Sequence, residues 1–153
     1  LYESPNLYLY VTDSAGNIVL ENEHYTELAL KESTAKTMTK ILMNVMTNGT
    51  GQAVTLKSQI DVAGKTGTTS SNFDRYFVGY TPYYIGATWF GYEINSSLFT
   101  AYGYTNPSCL VWDEVMTKLH QQYIDAAANG GEPLRHFDLS DSEGLQPAET
   151  GEE

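Results

Sequence analysis

AGKTGTTSSNFDRYFVGYTPYYIGATWFGY, residues 63–92, is the stretch on which the fold turns. Two runs within it, RYFVGYT (75–81) and YIGATWFGY (84–92), are rich in aromatic and β-branched residues and read as strands. Pro82 stands between them, where the chain must turn. A third strand is expected over 57–69, ending in the small and hydroxylated residues around Lys65. Parallel pairing needs a long crossover, which these connections are too short to hold, so an antiparallel three-stranded meander is expected.

The flanking segments extend this core on both sides. Residues 7–22 (LYLYVTDSAGNIVLEN) place two β-prone runs around a D-S-A-G-N turn, the pattern of a hairpin. Over 33–48, Met38, Ile41, Leu42, Val45 and Met46 recur at three- and four-residue spacing, which predicts a helix with one apolar face. Ser33 is its expected N-cap, and Gly49 and Gly51 its stop. A second helix is expected from Pro107 to 128, with Trp112, Val115, Met116, Leu119 and Tyr123 on one face. The order hairpin, helix, meander, helix predicts an α+β fold with helices covering the sheet.

Composition narrows the function classes. The 153 residues carry 19 acidic against 8 basic side chains, a formal charge of −11, with 41% hydrophobic residues. That is too apolar for a wholly disordered chain. It is also too acidic for a nucleic-acid or anionic-lipid surface, which needs clustered Lys and Arg. No run approaches the roughly 18 apolar residues that span a bilayer. Cys109 is the one cysteine, so no internal disulfide is possible. Residues 129–153 hold seven acidic residues and one Arg, which leaves −5 of the −11 for 1–128. The expected division is therefore a folded unit over 1–128 and an acidic, disordered tail over 129–153. A start at Leu1, without Met or a signal-peptide pattern, is expected of a processed or truncated product.

The chemistry is concentrated in residues 63–69, AGKTGTT: one cation, several hydroxyls and, at Gly67, a backbone that a ligand can approach closely. Gly64-Lys65-Thr66 matches the end of a phosphate-binding loop, but that motif needs Gly where Gln59 stands and a helix after the Lys. Here a turn and a strand come after the Lys instead. The same letters resemble the K-T-G element of the penicillin-interacting serine acyltransferases. GKTGTTSSNFDRYFVGYTP followed by WFGY resembles the transpeptidase domain of class A penicillin-binding proteins, through Asp74, Phe77, Gly79, Tyr80, Thr81, Pro82, Trp89, Gly91 and Tyr92. Tyr76 stands where that family has Trp. The D-S-A-G-N hairpin and MTNGTGQAV resemble the family's lead-in to K-T-G, so the resemblance covers most of residues 7–125.

The resemblance implies a β-lactamase/transpeptidase-like fold, no cofactor, and a role for each residue of the motif. Lys65 would set the field and proton affinity around a catalytic serine. Thr66 and Thr68 would hold the carboxylate of a peptidoglycan stem peptide or a β-lactam, with Gly67 and Thr69 completing the substrate-binding set. The Thr68 N–H would be an oxyanion-hole donor. The implied reaction is serine acyl transfer in cell-wall cross-linking, outside the cytoplasmic membrane, in a protein with an N-terminal anchor.

The resemblance implies a nucleophile on an S-x-x-K helix far upstream, with an S-x-N loop after it. Ser33-Thr34-Ala35-Lys36 and Ser70-Ser71-Asn72 spell both motifs, but the first lies only 32 residues before Lys65 and the second comes after it. The chain alone is expected to be inert, its partner being the N-terminal part of the same domain. The alternatives are an enzyme using Ser33, and a non-catalytic scaffold or sensor of the same fold. His24, His120 and His136 are expected to be solvated or core-edge residues rather than metal ligands. Asp113 and Glu114 are expected to complement a helix dipole, and Cys109 to pack.

Overall fold

The computed structural model describes residues 2–3, 5–22, 26–140 and 142. Its strands are β1 (Tyr2–Glu3), β2 (Tyr10–Thr12), β3 (Ile18–Glu21), β4 (Thr26–Glu27), β5 (Ala63–Thr68), β6 (Asp74–Tyr80) and β7 (Ile85–Gly91). The helices are α1 (Glu32–Asn48), α2 (Phe99–Tyr102) and α3 (Pro107–Ala128), with a 3-10 turn at Leu56–Ser58. β5, β6 and β7 form the expected antiparallel meander, and β2 pairs with β3 as the expected hairpin. Asp13 closes that hairpin by accepting from the N–H groups of Ala15 and Asn17, both at 2.9 Å. His24 lies outside the described residues.

Register and pleat divide the meander into two faces. Gly64, Thr66 and Thr68 share one with Arg75, Phe77, Gly79, Gly86, Thr88 and Phe90. α3 packs on this face, and Trp112 lies over Gly79 and Gly86 with its Nε1 donating to Gly86 O at 3.0 Å. Phe77 meets Trp112 edge-on at 5.1 Å, and Val54, Leu56, Ile60, Val62 and Met46 complete the core. The opposite face carries Lys65, Tyr76, Val78, Ile85 and Trp89, all exposed. α1 lies along β5, and Thr39 reaches the Tyr80 hydroxyl at 2.9 Å.

Several boundaries differ from expectation. The strand expected over 57–69 begins only at Ala63. Ahead of it the chain makes the 3-10 turn, because the buried Asp113 accepts from the N–H groups of Thr55 and Leu56 and pins them in a bend. Asp113 therefore serves this turn rather than the dipole of its own helix, while Glu114 pairs with Lys118 at 2.7 Å. Ser33 does not cap α1: Lys31 is the N-cap, without a side-chain bond, and Glu32 in the first turn pairs with Lys36. On α3 the buried stripe is Cys109, Trp112, Asp113, Met116 and His120, whereas Val115 and Leu119 are exposed. On α1 Met46 alone is fully buried and Met38 is exposed. His120 is fully buried rather than at the core edge, and α2 has no counterpart in the sequence expectations.

From 129 onward the composition predicts a tail. Among the described residues, 135–138 instead lie against the body. Arg135 N donates to the Tyr83 hydroxyl and Phe137 N to Asp61, and Phe137 meets Tyr80 edge-on at 5.5 Å. Asp138 pairs with Lys36 at 2.8 Å. These backbone bonds, the ring contact and the ion pair anchor a stretch whose composition alone shows little drive to fold.

Candidate active site

β5 is an edge strand, and one bond sets the phase of its ladder. Thr69 N donates to Asp74 O at 3.1 Å, so this pair faces inward. Antiparallel pairs alternate, which turns the backbone groups of Lys65 and Gly67 toward β6 and those of Gly64, Thr66 and Thr68 away from it. Among the described residues no strand pairs on that side. Gly64 is buried, so Thr66 and Thr68 present the accessible N–H and C=O groups of the open edge.

The side chains of the motif leave β5 on both faces. Lys65 and Gly67 share the face of Tyr76, and a side chain at Gly67 would stand 3.3 Å from the Tyr76 Cβ. Lys65 is exposed and curls to the edge, where Nζ donates to Thr66 O at 2.9 Å. Thr66 and Thr68 instead look toward α3, into an open cavity of about 260 Å³. Thr69 closes the β5–β6 turn, its hydroxyl accepting from Phe73 N at 3.1 Å and Asp74 N at 3.0 Å. The edge therefore gathers a cation, two threonine hydroxyls and two outward amides, with Thr69 holding the turn beside them.

The far wall of the cavity comes from Tyr104, Thr105 and Asn106, tied to β6 by several bonds. The Arg75 guanidinium donates to Gly103 O and Thr105 O. Asn106 Nδ2 donates to Tyr76 O at 3.1 Å, and Ser108 Oγ donates to Arg75 O at 2.7 Å. Asn106 also caps α3, its Oδ1 accepting from Ser108 N. Cys109 lies in the floor; burial first, then the nearby Asp113, pushes its thiol up to about 11. On the near side Thr50 Oγ1 stands 2.6 Å from Thr66 Oγ1. Sequence reasoning missed Thr50, Arg75 and Asn106, whose contacts cross 16 to 30 positions of sequence.

The two other motif matches lie elsewhere. Ser33 is in the first turn of α1, and Lys36 is held between Glu32 at 2.9 Å and Asp138 at 2.8 Å. Asn72 belongs to the β5–β6 turn, with φ of 54° and its N–H on Thr69 O. His136 meets Asp61 at 3.2 Å, and His120 is enclosed by Thr81 and Met116. Among the described residues no group of three or more His, Cys, Asp or Glu is placed to hold a metal.

The open edge of β5 thus presents Lys65, Thr66 and Thr68 beside a cavity that α3 backs. The family model of the penicillin binding protein transpeptidase domain matches residues 5–108, more than half of the chain. Penicillin-binding protein 1A of Clostridium acetobutylicum is 35% identical over 117 residues, 76% of this chain and 14% of the relative. The protein of the same name from Clostridium perfringens is 32% identical over 129 residues, covering 82% and 15%. That from Aquifex aeolicus is 29% identical over 113 residues, covering 74% and 15%. The chain thus spans about one seventh of the length of these relatives. It belongs to the transpeptidase-domain family of the penicillin-binding proteins, in its class A branch.

Proposed function

We propose that the chain supplies the K-T-G wall of a peptidoglycan D,D-transpeptidase and binds the acyl donor along the open edge of β5. The observation that carries this reading is the ladder phase, which leaves Thr66 and Thr68 backbone groups outward beside the Lys65 ammonium. An extended D-Ala–D-Ala terminus can add to such an edge as a further strand. Its carboxylate would meet the hydroxyls of Thr66 and Thr68, and Gly67 keeps the edge clear of side chain. The Thr68 N–H would donate to the carbonyl oxygen as it gains charge, a contribution of about 10²–10³ in rate for one such donor.

The reaction on this reading is acyl transfer. A serine oxygen attacks the penultimate carbonyl, the C–N bond breaks, and the terminal D-Ala leaves with a proton. A neighbouring amine then attacks the ester, forms the cross-link and releases the serine. A β-lactam enters the same way, but its ring amide opens and stays attached. The serine would come from an S-x-x-K helix in the same polypeptide outside this chain; Lys36, three residues after Ser33, is instead paired with Glu32 and Asp138. The exposed side chains Tyr76, Val78, Ile85 and Trp89 on β6 and β7, and the edge of β7 that pairs with no strand among the described residues, suit packing of the rest of the domain. The protein would act on the outer face of the bacterial cytoplasmic membrane. Among the described residues no helix is long and apolar enough to cross one.

Intact-mass measurement after incubation with a penicillin tests this. The chain alone should take no adduct, and the full polypeptide that carries it should take one. An adduct on the chain alone that disappears in Ser33→Ala would overturn the assignment of the nucleophile. A full polypeptide with its own S-x-x-K that takes none would favour the non-catalytic reading.

A further inference from the structure

We propose that Thr50 is a positioning residue for Thr66, delivering a hydroxyl proton to it so that the Thr66 proton is free for the substrate carboxylate. The inference rests on the carboxylate-holding role of Thr66 proposed above. The two hydroxyl oxygens are 2.6 Å apart and both face the cavity of about 260 Å³ beside β5. A hydroxyl has one proton to give and two lone pairs to accept with. With a carboxylate in the cavity, Thr66 donates to the anion and its oxygen accepts from Thr50. The chain Thr50 O–H to Thr66 O–H to carboxylate is then satisfied in one direction, and each bond polarises the next.

The backbone fixes Thr50 for this task. Gly49 and Gly51, on either side of it, both donate their N–H to Val45 O at 3.1 Å, which folds the chain sharply back over the end of α1. A Cβ on Gly49 would stand 2.9 Å from the Val45 Cα and carbonyl oxygen, and one on Gly51 would stand 2.6 Å from the Met46 sulfur. The two glycines therefore permit a turn that larger residues would open. That turn carries Thr50 across to a strand 16 positions later.

The test is penicillin acylation of the full polypeptide carrying Thr50→Val, Thr50→Ser, Thr66→Val and the double Val variant. Thr50→Val keeps the shape and removes the proton. It should raise the half-saturating penicillin concentration about 3–10-fold, as expected for loss of one hydrogen bond, with the limiting rate and melting temperature unchanged. Thr50→Ser should restore the wild-type value, and the double variant should be no worse than Thr66→Val. A penicillin methyl ester, lacking the anion, should react equally with wild type and Thr50→Val. Wild-type kinetics in Thr50→Val alongside an impaired Thr66→Val would overturn the proposal while sparing the role of Thr66. Unimpaired Thr66→Val would overturn the carboxylate role itself, and this inference with it.

Discussion

Asp113 on α3 holds Thr55 twice, accepting from its N–H at 2.9 Å and from its hydroxyl at 2.7 Å. The other carboxyl oxygen takes Leu56 N–H at 2.9 Å. Both oxygens of a nearly buried side chain are thus used to set the bend that aims residues 59–62 into β5. Asp113→Asn turns one acceptor into a donor facing N–H groups. It should cost about 1–3 kcal/mol, the penalty for leaving buried polar groups unsatisfied. Urea titration of the isolated chain reads this directly, and an unmoved midpoint would show that the turn does not depend on Asp113.

Gly79 lets α3 sit close on the sheet. A Cβ there would lie 2.6 Å from the Phe77 ring and 2.9 Å from Cζ2 of Trp112, both fully enclosed. Neither ring can withdraw, since Trp112 is also tied to Gly86 O. Gly79→Ala should therefore destabilise by about 1–3 kcal/mol through overpacking. Gly16→Ala is a useful contrast, because its φ of +86° strains the new residue although no atom of the described residues lies within 4 Å. If Gly79→Ala melts like wild type, the contact between α3 and the meander is looser than these distances.

The meander, the hairpin and α3 are legible in the sequence because each rests on local signals: Pro82 at a turn, D-S-A-G-N between β-prone runs, Pro107 at a helix start. The features that escape sequence reading depend on partners distant along the chain. The 3-10 turn at Leu56 is imposed by a residue 57 positions later, and the anchoring of 135–138 by Asp61, Tyr80 and Lys36. The stripe on α3 departs from the apolar pattern because Asp113 and His120 are buried there and Val115 and Leu119 are not. At the site, K-T-G can be read as letters. The Thr50 and Asn106 walls emerge only with the cavity itself.

The ion pair of Asp138 and Lys36 makes that anchoring sensitive to acid. Lys36 first, then Ser140, holds the Asp138 carboxyl far below the ordinary carboxylate range, and Asp138 then Glu32 raise the Lys36 ammonium above the ordinary lysine value. A depressed carboxyl contributes stability that is full above its unfolded value, about 4, and fades as pH falls through the folded one. A raised lysine contributes below about 10.5 and fades at higher pH. Asp138→Asn should flatten the loss of melting temperature between pH 5 and pH 2 without altering it near neutrality by more than a surface pair does. Parallel curves for the two proteins would remove this pair from the acid response.

Cys109 should be unreactive although it lies beside the proposed substrate cavity. Its thiol is pushed up to about 11 from an ordinary 9.0, so at pH 8 its thiolate fraction is about 100-fold below that of a free thiol. Because burial disfavours the thiolate, the shift costs the fold nothing below pH 9 and destabilises it as pH rises from 9 toward 11, where the unfolded thiol ionises first. Iodoacetamide at pH 8 should leave the native chain unmodified over a time in which the urea-unfolded chain reacts fully. Equal rates would mean that the cavity floor opens to solvent.

Lys65 makes one hydrogen bond among the described residues, to the carbonyl of its neighbour Thr66, and is otherwise exposed. Nothing in the packing depends on it, so Lys65→Ala should leave the circular dichroism spectrum and melting temperature unchanged. Its ammonium is nevertheless the one cation of β5, placed at the edge where the acyl donor would lie. If it helps move the proton of the catalytic serine, its loss should slow penicillin acylation of the full polypeptide by about 10²–10⁴-fold. Lys65→Arg keeps the charge but not the compact ammonium that proton transfer needs, and should recover only part of the rate. Stopped-flow acylation separates the cases. A Lys65→Ala protein acylated at the wild-type rate would place Lys65 outside the chemistry and leave the threonines of β5 as the whole of its contribution.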